Sequence, residues 1–167
     1  MKRIYRILIY ILLVVAIFAL VSCDKKPQPK QLAELTLPEL NEKEMAVIIK
    51  NGDSDYTSYT VRLGKGGVEA TTVEDVLEYL HKECNLTLTW QDSQYGKFLT
   101  AIGGISAEGS AYIEVFTSNV DFQGTWAGVD VIEADGVTLV AASVGVTELG
   151  VKAGDIVYFE LGVYIYY

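Results

Sequence analysis

Apolar and polar residues alternate in short runs along most of the chain, and a single segment breaks into a helical period. Met45-Ala46-Val47-Ile48-Ile49-Lys50 is rich in β-branched residues and ends at Asn51-Gly52, a strong turn signal. Tyr56 to Leu63 then alternates, so the two runs predict a hairpin with Asp53-Ser54-Asp55 at its tip. Two aspartates at that spacing are a fragment of a calcium loop, but its other ligands are missing, and an exposed polar turn accounts for them. Leu86 to Trp90 alternates with Leu86, Leu88 and Trp90 on one face. Further strands are predicted over Tyr95–Ile102 and Ala111–Thr117, and over Val129–Glu133 paired with Val137–Ala141 across Asp135-Gly136. The last are Ile156–Leu161 and Val163–Tyr166.

The helical segment lies between the first hairpin and these later strands. Val73, Val76, Leu77, Leu80 and Cys84 recur at helical spacing and form one apolar stripe. Thr71 with Glu74 predicts a capping box at its start. Glu74, Asp75 and Glu78 favour the N-terminal side and His81 and Lys82 the C-terminal end, as the helix dipole prefers. Cys84 falls on the stripe and reads as a small buried hydrophobe. One helix, about residues 72–84, among many strands predicts the α+β class: a mixed or antiparallel sheet packed on one main helix.

The start of the chain has a different pattern. Lys2, Arg3 and Arg6 precede an apolar run, Ile7 to Val21, interrupted only by Tyr10. The run is shorter than the about twenty residues a bilayer-spanning helix needs. A basic start and a short apolar run are instead the plan of a secretory signal. Leu20-Val21-Ser22-Cys23 matches a lipobox, so residues 1–22 are expected to be a signal peptide and Cys23 the site of lipidation. Two or more acyl chains give a firm anchor, and the expected location is the extracytoplasmic face of the cell membrane. Asp24 to Gln31 carries two prolines and three lysines with no hydrophobic period, and Pro38 argues against a helix later on. Residues 23–44 are therefore expected to be a flexible tether, and residues 45–167 the domain.

Charge and cysteine content narrow the chemistry. The whole chain carries a formal −9, and loss of the basic signal would leave it more acidic still. Such a surface repels a phosphate backbone, so nucleic acid is not an expected partner. With Cys23 lipidated, Cys84 has no disulfide partner. His81 is the sole histidine and shares a helical turn with Cys84, but no third residue can be argued to orient such a pair. With no metal-ligand cluster and no nucleophile motif, an enzyme is not expected and no catalytic or metal site is assigned.

The order of hairpin, capped helix and short strands is the plan of a β-grasp domain. Thr72-Val73-Glu74-Asp75-Val76-Leu77-Glu78-Tyr79-Leu80 resembles the helix of the transcobalamin-like C-terminal domain family. Tyr95-Gly96-Lys97-Phe98-Leu99 continuing to Ile102-Gly103-Gly104-Ile105, and Gly150-Val151-Lys152-Ala153-Gly154-Asp155 before the closing strand, resemble the same family. The likeness covers about residues 45–162. It implies a ligand-binding β-grasp module with cobalamin or another corrinoid as the candidate ligand. One departure stands out: Ile113 falls where many relatives carry a Trp after Tyr112.

Two functions follow. The first is a membrane-tethered module that binds a small molecule through loop aromatics, with Tyr95, Tyr112, Phe122 and Trp126 as candidate contacts. Trp126 lies in the Gly-flanked stretch Asp121 to Gly128, where no period demands a large ring. The plainer reading is that Phe122 and Trp126 cap the core from that loop. The second is a structural or interaction domain displayed on the envelope, contacting another surface protein through a sheet edge.

Overall fold

The computed structural model describes residues 30–32, 35–94 and 96–164. The expected signal peptide, Cys23 and Tyr95 lie outside the described residues. Those described form ten strands and one α-helix. In chain order they are β1 (Lys30–Gln31), β2 (Glu44–Lys50), β3 (Tyr56–Arg62), α1 (Val73–Cys84), β4 (Leu88–Ser93) and β5 (Gly96–Ile102). There follow β6 (Ile105–Ser106), β7 (Ala111–Thr117), β8 (Val131–Ala134), β9 (Val137–Ala141) and β10 (Ile156–Val163). A short 3-10 turn, Val120–Phe122, follows β7.

The strands form two sheets. The larger has the order β1-β8-β9-β7-β10-β2-β3, and the smaller has the order β4-β5-β6. Most pairings are antiparallel, but β10 runs parallel to β2 and β1 parallel to β8. The α+β class and the mixed sheet match the sequence expectation. The single sheet on one helix does not, because β4, β5 and β6 form a second sheet.

Burial explains the central strands. Met45, Val47 and Ile49 of β2 join Val157 and Phe159 of β10 on the face that receives α1. Ala46, Ile48, Ile156 and Tyr158 belong to a second cluster on the opposite face. A strand covered on both sides has no polar face to show, which is why residues 45–49 read as an unbroken apolar run. On α1, Val73, Val76, Leu77 and Leu80 are buried, worth at most about 6–12 kcal/mol in transfer free energy.

The helix start is one residue later than the sequence suggests. Thr72, not Thr71, is the N-cap, and Asp75, not Glu74, completes the box. The Asp75 carboxylate accepts from the backbone N–H of both Thr71, at 2.8 Å, and Thr72, at 2.9 Å. A short aspartate suits this double bond, and it frees Glu74 to receive Lys97 Nζ at 2.6 Å. Lys97 also lies 4.2 Å from the Trp90 ring centroid, so one cation ties β4, β5 and α1 together. Cys84 is exposed rather than buried. Residues 81–85 are all exposed, so the final turn projects past the core. Asn85 then closes the helix in the left-handed region at φ 56°.

The expected domain boundary at residue 45 also moves. Leu32 and Leu35 are buried against Ile132, Leu139 and Tyr158, and Leu32 N–H donates to the Glu133 carbonyl at 3.0 Å. Leu32, Leu35, Leu37 and Leu40 thus cover the second face of the large sheet, so these residues of the expected tether belong to the fold. Pro38 and the irregular spacing of these leucines leave no period to read.

Candidate ligand cleft

Strand β7 has neighbours on both sides, but to unequal extents. All seven of its residues pair with β10, whereas β9 pairs only with Phe116 and Thr117. The chain leaves β9 after Ala141, and Ala142 N–H donating to the Val115 carbonyl at 2.8 Å is the last link. A cleft of about 730 Å³ runs along the uncovered part of β7. Every residue from Ala111 to Val115 lines it. Because successive strand side chains point to opposite faces, such continuous lining means the cleft embraces the strand's edge.

Two walls flank this edge. One is the β4–β5 hairpin, which contributes Phe98 and Leu99; the other is the segment after the 3-10 turn, which contributes Trp126 and Asp130. Tyr164, just beyond β10, completes the lining. Trp126 is 52% exposed and Phe98 50%, so both keep large ring surfaces for a ligand. Glycines place two of the rings. Gly162 lies opposite Tyr112, and its missing side chain lets the Tyr112 ring lie down across β10. There Tyr112 stacks on Tyr164 with centroids 4.4 Å apart and planes 30° from parallel. The Trp126 ring rests on Gly124 in the same manner.

Carboxylates give the cleft its charge. Glu114 and Asp130 both line it. Burial, reinforced by the negative charges of Asp130 and Glu160 and a hydrogen bond shared with Asp130, pushes the Glu114 carboxyl up to about 7. Burial chiefly, and then Glu114, raises the Tyr112 phenol as well. Glu160 lies opposite Glu114 in the ladder and is differently satisfied. It receives Lys30 Nζ at 2.7 Å, Lys50 Nζ at 3.7 Å and the Tyr158 hydroxyl at 3.0 Å. No ion pair of that kind reaches Glu114 or Asp130 among the described residues.

The candidate contacts divide accordingly. Tyr112 and Trp126 come together in the cleft. Phe122 does not line it: its ring packs over Gly150 and against the core that includes α1. That is the capping role a loop aromatic can also take. Phe98, Glu114, Asp130 and Tyr164 were not among the candidate ligand contacts read from the sequence. Glu114 carries a usable signal, an acid in the middle of the otherwise apolar run Ala111 to Phe116. Among the described residues no group of three or more His, Cys, Asp or Glu is placed to hold a metal ion.

Comparison with known proteins gives fold-level likeness only. No family model and no curated protein matches the chain. Among solved structures, haptocorrin in complex with Cbi superposes with a TM-score of 0.50 at 14% identity, over 78% of this chain and 27% of haptocorrin. The chain thus spans about a quarter of haptocorrin's length. A Ruminococcus gnavus protein with a proposed metal-binding role matches with a TM-score of 0.47 at 17% identity, over 74% of this chain and all of the other.

Proposed function

We propose that this chain is a membrane-tethered, extracytoplasmic ligand-binding module whose site is the cleft along β7. The carrying observation is the convergence of Phe98, Tyr112, Trp126 and Tyr164 with two carboxylates in about 730 Å³. That volume and mixture of apolar walls with a few polar groups suit a small-molecule site. A flat, ring-bearing ligand would lie against the exposed Trp126 and Phe98 faces and meet hydrogen-bond acceptors at Glu114 and Asp130.

The first ligand class to test is a corrinoid. Its support is the likeness of fold to a domain-sized part of haptocorrin, whose ligand in that structure is Cbi, together with the motif resemblance over residues 45–162. In this reading the hairpin, α1 and the following strands are a β-grasp unit elaborated by a second sheet, no cofactor or metal is needed for catalysis, and the module is not an enzyme. Lipidation of Cys23 supplies the anchor, on the support of the lipobox in the sequence. The test is calorimetric titration of the whole chain in detergent micelles with cobinamide and cobalamin. Saturable micromolar binding that Trp126→Ala weakens about tenfold, by loss of one stacked ring, is the expected result. Absence of both heat and thermal shift would remove the corrinoid. Loss of membrane association in Cys23→Ala tests the anchor separately.

A further inference from the structure

The backbone of β7 offers recognition that a ring-binding cleft does not require. Ser118 N–H donates to the Ile156 carbonyl and Tyr164 N–H to the Ser110 carbonyl, so even-numbered residues of this strand turn their backbone groups toward β10. Ala111 N–H bonds the Glu108 carbonyl and Ala142 N–H the Val115 carbonyl, so odd-numbered residues turn theirs the other way. Antiparallel ladders alternate in this manner. Beyond the Ala142 link, the Ala111 carbonyl, both Ile113 groups and the Val115 N–H face the cleft, with no hydrogen-bond partner among the described residues. A strand edge inside a cleft is the template for adding another strand.

The geometry points to β7 as a strand-addition site for an extended polypeptide segment carrying basic residues at alternate positions. The two faces of β7 define that alternation. Ile113 and Val115 lie on the α1 side, where Phe98 and Leu99 give the cleft an apolar wall. Tyr112 and Glu114 lie on the other side with Asp130 and Lys30; Lys30 Nζ is held by Glu160 at 2.7 Å, and no ion pair reaches Glu114 or Asp130 among the described residues. An added strand would send every second side chain to each face. Apolar side chains therefore suit one face and Lys or Arg the other. Burial chiefly, and then the like charges of Asp130 and Glu160, raises the proton affinity of Glu114, and a neighbouring cation would favour its ionised form. The open edge, Ala111 to Val115, spans roughly 16 Å and accommodates about five residues of such a segment.

This inference goes beyond the corrinoid reading and uses the backbone edge instead of the rings. The test is binding of the peptide Ac-(Val-Lys)4-NH2 to the whole chain in detergent micelles, read by calorimetry and by amide exchange at Ile113 and Val115. Peptides methylated on every Val backbone nitrogen or on every Lys backbone nitrogen keep charge and side chains, but each set removes donors from one edge only. The expected result is slowed exchange at Ile113 and Val115, with about tenfold weaker binding for one methylated set and little change for the other. Glu114→Gln and Asp130→Asn should each weaken binding several-fold, more at low salt. Equal affinity of all three peptides, or unchanged exchange at Ile113, would overturn the proposal by showing attraction of charge alone. So would a chain that protects Ile113 only by dimerising. Corrinoid binding without peptide binding would overturn this inference and leave the ligand reading standing; the reverse would do the opposite.

Discussion

Replacing Glu114 by Gln should stabilise the protein at neutral and alkaline pH and leave it nearly unchanged in acid. Folding moves the Glu114 carboxyl from an ordinary 4.5 to about 7, so the folded state binds this proton more tightly than the unfolded chain. An acid raised in this sense penalises the fold as pH climbs from about 4.5 to about 7, and the penalty is then constant. At roughly 1.4 kcal/mol per pH unit the penalty is at most about 3 kcal/mol, and the partial solvent access of Glu114 lowers it to about 1–2 kcal/mol. Gln keeps the size and removes the ionisation. Urea unfolding of both chains at pH 4 and at pH 8 measures the difference. The variant should be more stable by about 1–2 kcal/mol at pH 8 and by close to nothing at pH 4. An equal difference at both values would refute the reasoning, since burial of a charge can matter only where the charge exists.

Other substitutions test the packing. Leu77→Ala, at a fully buried helix position, should cost about 2–5 kcal/mol in urea unfolding. Thr72→Ala removes the N-cap hydroxyl and should cost about 1 kcal/mol, whereas Thr71→Ala should cost less because its hydroxyl is no cap. The Asp75 carboxyl is held below its ordinary 3.8, chiefly by the Thr71 and Thr72 backbone N–H groups. Its contribution is therefore full above that value and lost as pH falls through the lower folded one, so Asp75→Asn should flatten the acid limb of the stability curve. Gly162→Ala would force the Tyr112 ring off β10, lowering ligand affinity more than stability, as parallel titration and thermal unfolding would show.

Much of the fold was readable because its periods are local. The alternation of Tyr56 to Arg62, the stripe Val73 to Leu80 and the turn Asp135-Gly136 each depend on neighbours in sequence, and the elements form there. The limits of β7 and β9 match their predicted ranges. What was not readable depends on distance. Lys30–Gln31 pairs with β8 about a hundred residues away, and its Pro- and Lys-rich surroundings resemble a tether. Gly162 suggested a break, yet β10 continues through it because β7 supplies the opposite strand. The separation of β4, β5 and β6 into their own sheet leaves no mark in any single strand.

The site was legible in halves. Trp126 stands out as a ring in Gly-rich company, and Tyr112 through the family resemblance. Phe98 and Tyr164 look like ordinary strand residues, and only the early end of β9 converts them to walls of a cleft. Phe122 carries the same loop signal as Trp126, and the difference between them lies in their surroundings. Gly150 and the core receive one ring, while Gly124 supports the other at the surface.

The central claim, that the β7 cleft is the ligand site, is most directly tested through the two tryptophan indole N–H signals of the nitrogen-15-labelled chain. Trp126 lines the cleft, and Trp90 sits under Lys97 on the smaller sheet as an internal control. Titration with cobinamide should move the Trp126 signal saturably and leave the Trp90 signal in place. A saturable shift of Trp90 with Trp126 unmoved would contradict the account and place the ligand elsewhere on the molecule.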